Sequence, residues 1–148
     1  MKQATCAERI RDEYVDRIET IESIFDCIDD GHNNSDDDAI DAAYNKLDHM
    51  ALDPQTPLEY IPSDTYDAQD EGFIRWHLSW GGPEDQFRFF IDEHGGITDI
   101  EYHFMDWFDG AVINVNMTGY HAELLDRVFD WHTGGCPLHL IKDYQEAI

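Results

Sequence analysis

The chain has 148 residues, 42% of them hydrophobic and 13% aromatic, a composition that excludes a disordered or fibrous protein and suits one domain with its own core. Its 33 acids against 9 bases leave a net charge of −24, beyond the magnitude of about 2 to 8 that solubility asks of a small domain, and disfavour direct binding to DNA or anionic lipid. Three cysteines without paired spacing (Cys6, Cys27, Cys136), a start lacking an apolar signal region and no apolar run near roughly 18 residues point to a cytoplasmic protein with neither a disulfide framework nor a membrane span.

Ile10, Tyr14, Ile18, Ile21, Phe25 and Ile28 recur at helical steps, which predicts an amphipathic helix from Thr5 to Asp30. Glu8, Asp12, Asp16, Glu19, Asp26 and Asp30 form an acidic row on an adjoining face, diluted only in the first turns by Arg9, Arg11 and Arg17. Gly31 suits the C-terminus of this helix. Ser35 followed by Asp36, Asp37 and Asp38 suits the cap and first turn of a second helix running to about Leu52, where carboxylates favour the free N–H groups. Asp26, Asp29 and Asp30 sit instead at the negative end of the first helix. Stability alone would place Lys or Arg there, so a binding face becomes the competing explanation.

A calcium loop does not account for these acids. Setting Gly31 at the invariant glycine of an EF-hand puts Ile28, which cannot ligate, at the third position and the short Asp37 at the twelfth. His132, Cys136 and His139 likewise lack the second ligand pair of a zinc finger, and no metal or other cofactor is expected.

Residues 53–72, with three prolines and six acids, read as an irregular connection pinned by Leu58, Tyr60 and Ile61. Period-two runs then follow at 73–80, 86–92, 97–104 and 111–117, separated by short Gly turns, and predict a four-stranded antiparallel meander. Ile74, Trp76, Leu78 and Trp80 alternate with Phe73, Arg75, His77 and Ser79. Ile100, Tyr102 and Phe104 should face the core, leaving Asp99, Glu101 and His103 outside. A C-terminal helix at 120–132 places Leu124, Leu125, Val128 and Phe129 on one side and stops at the glycines after Thr133, and the tail 133–148 reads as a short strand or a frayed end. The expected architecture is α+β: two N-terminal helices in an acidic part (1–52), the meander (73–117) and the last helix, with helices over one sheet face of a single domain.

Motifs for catalysis are scarce. There is no phosphate-binding loop, dinucleotide fingerprint or nucleophile elbow, and His121 to Glu123 lack the downstream cysteine pair of a deaminase. Asp106 and Asp109 flank Trp107 and Phe108 as a carboxylate pair, but no acid and base roles separate, and a strand turn anchored by an aromatic is the reading adopted. A non-enzyme is expected.

Gly81, Gly82 and Pro83 in one turn, Asp92, Glu93 and Gly95 in the next, and the aromatic-Asp-Trp segment ending at Asp106 and Trp107 resemble a loose group of small acidic proteins carried by bacterial plasmids and phages. The likeness covers about a third of the chain, and the pattern departs after Trp107. It implies a mobile-element setting, in which counter-defence proteins are common, and carries no activity of its own.

Adaptation to high salt would be a simpler source of acidity, since Asp outnumbers Glu 22 to 11 and only three Lys occur. Fourteen Ile against four Val, with nineteen aromatics, argue against it by giving a rich core. The charge is concentrated in residues 1–72, which hold 20 acids and 5 bases for a net −15. Carboxylates every three to four residues, roughly 4.5 to 6 Å along a helix, can present phosphate-like spacing to a basic groove. The function this favours is inhibition of a basic nucleic-acid-binding complex, a CRISPR effector or restriction enzyme, by mimicry of nucleic acid. Asp12, Asp16, Glu19, Asp26, Asp29, Asp30, Asp36, Asp37 and Asp38 would be the partner contacts. The alternative is a non-catalytic interaction module using exposed aromatics, with acidity serving solubility only, and a homodimer through the sheet edge is compatible with either.

Overall fold

A computed structural model describes residues 4–147. Along the chain lie α1 (Cys6–Asn33), α2 (Asp37–Asp48), β1 (Leu58–Ile61), β2 (Phe73–Ser79), β3 (Glu84–Ile91), β4 (Ile97–Asp106), β5 (Asp109–Asn114), α3 (Tyr120–Thr133) and α4 (Leu138–Ala147). The class is α+β, and the strands form one antiparallel sheet in the order β1-β2-β3-β4-β5.

The first helix begins where its chemistry allows. Thr5 accepts the Glu8 N–H while the Glu8 side chain returns to the Thr5 backbone, a reciprocal cap that satisfies two free donors. The helix does not stop at Gly31 as expected but continues to Asn33, and Gly31 is a packing residue. A Cβ at Gly31 would lie 2.6 Å from Ile40 Cγ1, so the missing side chain lets α2 approach α1. Ser35 takes the left-handed turn (φ 52°) instead of the cap, and Asp36 caps α2 by accepting the Ala39 N–H at 3.1 Å. The second helix then ends at Asp48, four residues short of the expected Leu52, where the His49 ring closes onto the Asn45 carbonyl at 2.8 Å.

Five strands replace the expected four, because Leu58–Ile61 pairs with β2 in the register Leu58 to Trp76 and Ile61 to Phe73. Pro57 and Pro62 bracket that short strand without interrupting it, and an edge strand tolerates prolines at its ends. Ile74, Trp76, Phe87, Phe89, Ile100, Tyr102 and Phe104 lie buried on one sheet face, as the alternation in β4 predicts. Fully burying each such side chain is worth about 1.5–3 kcal/mol. Helix α1 covers β4 and β5 and is flanked by α2 and α3, so the buried residues of sheet and helices form one cluster.

Alternation fails at the end of β2. A register shift between His77 and Ser79 re-aims the chain, and Trp80 stands 69% exposed. Phe73 is buried although it belongs to the opposite face, because the 62–72 connection folds over it. The Tyr66 ring stacks at 6.4 Å and the Arg88 guanidinium lies 4.5 Å from the Phe73 centroid. At the C-terminus, Gly134 (φ 61°) ends α3 in the left-handed conformation, as read from the sequence. The tail is neither strand nor frayed end: it forms α4, whose Tyr144 meets Tyr60 of β1 edge-on at 5.5 Å.

One buried carboxylate ties α1 to the sheet. Asp85, 2% exposed, accepts two hydrogen bonds from the Arg17 guanidinium (2.7 and 2.9 Å), one from the Tyr102 hydroxyl at 2.7 Å and one from Ser79. Burial and the adjoining Asp85 charge push the Tyr102 hydroxyl well above the usual phenol range.

Candidate partner-binding surface

All nine predicted contacts are solvent-exposed or held at the exposed α1–α2 corner. At about 100° per residue, Asp12, Asp16, Glu19, Asp26 and Asp30 fall within an arc of about 80°. That arc lies roughly opposite the buried Ile10–Ile28 stripe, so the row points straight outward rather than along an adjoining face. From Asp12 to Asp30 it runs about 27 Å. None of these five carboxylates forms an ion pair among the described residues.

Two of the remaining four are engaged. Asp29 faces α3 and receives the Arg127 guanidinium at 2.9 and 3.2 Å, an exposed pair worth little in isolation. Asp36 is occupied as the cap of α2, while Asp37 and Asp38 stand in its first turn. The Asp36 N–H also donates to the Gly31 carbonyl at 2.8 Å, so the acids ending α1 and those beginning α2 share one corner. The negative pole of α1 therefore carries Asp26, Asp29 and Asp30 with the Arg127 side chain against Asp29. Arg127 also lies 4.1 Å from the Phe25 ring.

The sequence reading missed the far end of α1. Asp106 and Asp109 are each engaged by the start of α1. Asp106 binds Arg9 at 2.6 Å, and Asp109 accepts the Cys6 N–H at 2.8 Å, adding a second cap to α1. That bond from Cys6 holds the Asp109 carboxyl below its usual range, and burial pushes the Cys6 thiol up. The turn was expected to be anchored by an aromatic, and the opposite is found: Trp107 is 84% exposed and Phe108 fully so. Trp107 holds φ 57°, at the first central position of a two-residue hairpin loop where glycine is favoured. A side chain there costs on the order of 1–2 kcal/mol. The available signal was an aromatic pair inside a two-residue turn, where turn chemistry calls for Asn, Asp or Gly.

On the outer sheet face, the 62–72 connection and the strands enclose an open cavity of about 570 Å³ lined by Tyr66, Phe73, Arg88, Glu101 and His103 among others. Burial lowers the pKa of Arg88 and of His103, whose Nε2 lies 2.8 Å from Glu101. Arg88 is held over two rings with Asp67, Asp70, Glu71 and Asp99 also on the lining, so the cavity offers an anion one cation amid carboxylates.

Among the described residues no group of three His, Cys, Asp or Glu side chains is placed to hold a metal ion, and no helix is long and apolar enough to cross a membrane. Compared with protein-family models, with curated proteins and with solved structures, the chain gives no match.

Proposed function

We propose that the protein is a non-catalytic inhibitor that lays the outward face of α1 into the nucleic-acid groove of a basic protein or complex, of the kind found in CRISPR effectors and restriction enzymes. The observation that carries this reading is the row Asp12, Asp16, Glu19, Asp26 and Asp30, outward-facing along about 27 Å of one helix and with no ion pair among the described residues, although Lys46 of α2 stands beside Asp16 and Glu19. The five charges stand on average about 6.8 Å apart over that length, against about 3.4 Å between the phosphates of a DNA strand, so the helix supplies about half of a strand's linear charge density. Asp37 and Asp38 extend the row around the α1–α2 corner. The counter-defence setting rests on the likeness to plasmid- and phage-borne acidic proteins, and the partner contacts remain Asp12, Asp16, Glu19, Asp26, Asp29, Asp30, Asp36, Asp37 and Asp38.

A groove evolved for phosphates binds such a row through Lys and Arg contacts that displace counterions, so binding should weaken steeply with salt and compete with duplex DNA. The test is displacement of a fluorescent 30-mer duplex from purified effector complexes, read by anisotropy at two salt concentrations. Asp12→Lys/Asp16→Lys/Glu19→Lys should lose displacement while its circular dichroism is unchanged. Displacement that survives this triple reversal would refute mimicry by α1.

A further inference from the structure

We propose that the β4–β5 hairpin tip, Trp107 with Phe108, is an anchor that seats in an apolar pocket rimmed by Lys or Arg on a protein partner. Four observations converge on it. Both rings stand in solvent, and neither buries area that would account for an aromatic at that place. Trp107 occupies a backbone conformation that favours glycine, so the turn itself does not call for it. The tip is rigid, because its two flanking carboxylates are bound to Arg9 and to the N-terminus of α1. Trp80 projects from the same end of the sheet, where the neighbouring Gly82 approaches Asp106.

Trp and Phe side chains have only two rotatable bonds and so lose little conformational freedom on docking for the area they bury, which suits them to interface hot spots. Charge selects the kind of occupant. A second copy of a −24 chain and an anionic bilayer are both repelled, whereas a basic protein is attracted. Of the carboxylates beside the rings, Asp106 is paired with Arg9 and Asp109 is held by the Cys6 N–H, while Asp12 of the adjoining α1 turns is exposed and forms no ion pair among the described residues. A cleft of about 420 Å³ between the tip and the start of α1 gives the rim of a partner's pocket a place to enter. The choice of a basic partner agrees with the mimicry reading, but the anchor stands on the hairpin and not on the acidic row.

The experiment places the photo-crosslinker p-benzoylphenylalanine at position 108 of the tagged full chain, with position 112 on the outer sheet face as control, in a bacterial lysate. The expected result is one identified Lys/Arg-rich protein crosslinked from 108 and not from 112, through a peptide of its apolar pocket. Its retention should fall at least tenfold in Trp107→Gly and in Phe108→Ser, both with wild-type circular dichroism. Equal retention by wild type and both variants, products that are dimers of this chain, or absence of any tip-dependent partner would overturn the anchor. If Asp12→Lys/Asp16→Lys/Glu19→Lys still crosslinks from 108 and still displaces duplex DNA, the anchor stands and mimicry fails. If the tip variants keep DNA-competed binding that the triple reversal loses, the reverse holds.

Discussion

Replacing Asp85 should be the most damaging single change to the scaffold that presents α1. In Asp85→Ala the Tyr102 hydroxyl, on a fully buried ring, loses its acceptor, and Ser79 and the Arg17 guanidinium lose theirs. A buried orphan hydroxyl costs about 1–3 kcal/mol. The lost charge-assisted bonds would cost a similar amount if Arg17 were dry, but its side chain is 30% exposed and water recovers part of that, so about 1 kcal/mol is charged to it. The sum is about 3 kcal/mol, or roughly 6–12 °C in Tm for a domain of this size. Urea unfolding followed by far-UV circular dichroism measures it on wild type, Asp85→Ala, Arg17→Met and the double variant. The cycle should give a coupling of about 1–2 kcal/mol, because removing Arg17 alone strands a buried carboxylate. A loss below about 1 kcal/mol in Asp85→Ala, or additivity in the cycle, would show that the cluster does not hold α1 on the sheet.

At position 107, glycine should be more stable than alanine by about 1 kcal/mol, because only glycine adopts φ 57° without cost, and thermal melts of Trp107→Gly and Trp107→Ala decide it. Gly31→Ala should lose about 1–2 kcal/mol, although such a change inside a helix normally gains, because the new methyl meets Ile40 and the Asp36 carbonyl; urea midpoints give the sign. Burial against Trp76 holds the His132 pKa below its ordinary 6.5. The unfolded chain therefore takes up that proton first, and the stability His132 contributes, complete above pH 6.5, is lost as pH falls toward the folded value. His132→Leu should flatten the slope of unfolding free energy between about pH 7 and 5.5; an unchanged slope would remove His132 as its source.

The α1 stripe, the alternation in β4, the apolar side of α3 and its glycine stop were legible because each is a periodic or local signal. A stripe repeated at 3.6 residues survives any tertiary arrangement that buries it. What escaped was decided across the chain. Gly31 reads as a terminator locally, yet α1 continues past it to Asn33 and its missing side chain admits Ile40 of α2. Leu58–Ile61 is too short and too closely bracketed by prolines to read as a strand, and becomes one only because β2 offers an unpaired edge. Of the candidate surface, the nine acidic residues could be named from composition and spacing, whereas the hairpin aromatics were assigned to anchoring.

By itself, then, the amino-acid sequence determined the class, the long amphipathic helix, the buried face of the central strands and the concentration of charge in the first half, since these follow from composition and period. Tertiary structure alone decided which carboxylates stay free. Asp85, Asp106 and Asp109 are consumed by Arg17, Arg9 and the start of α1, all distant in sequence, while Asp12, Asp16 and Glu19 are left to water. A carboxylate's partner depends on which elements are brought within about 3 Å of it, and chain order carries no record of that distance.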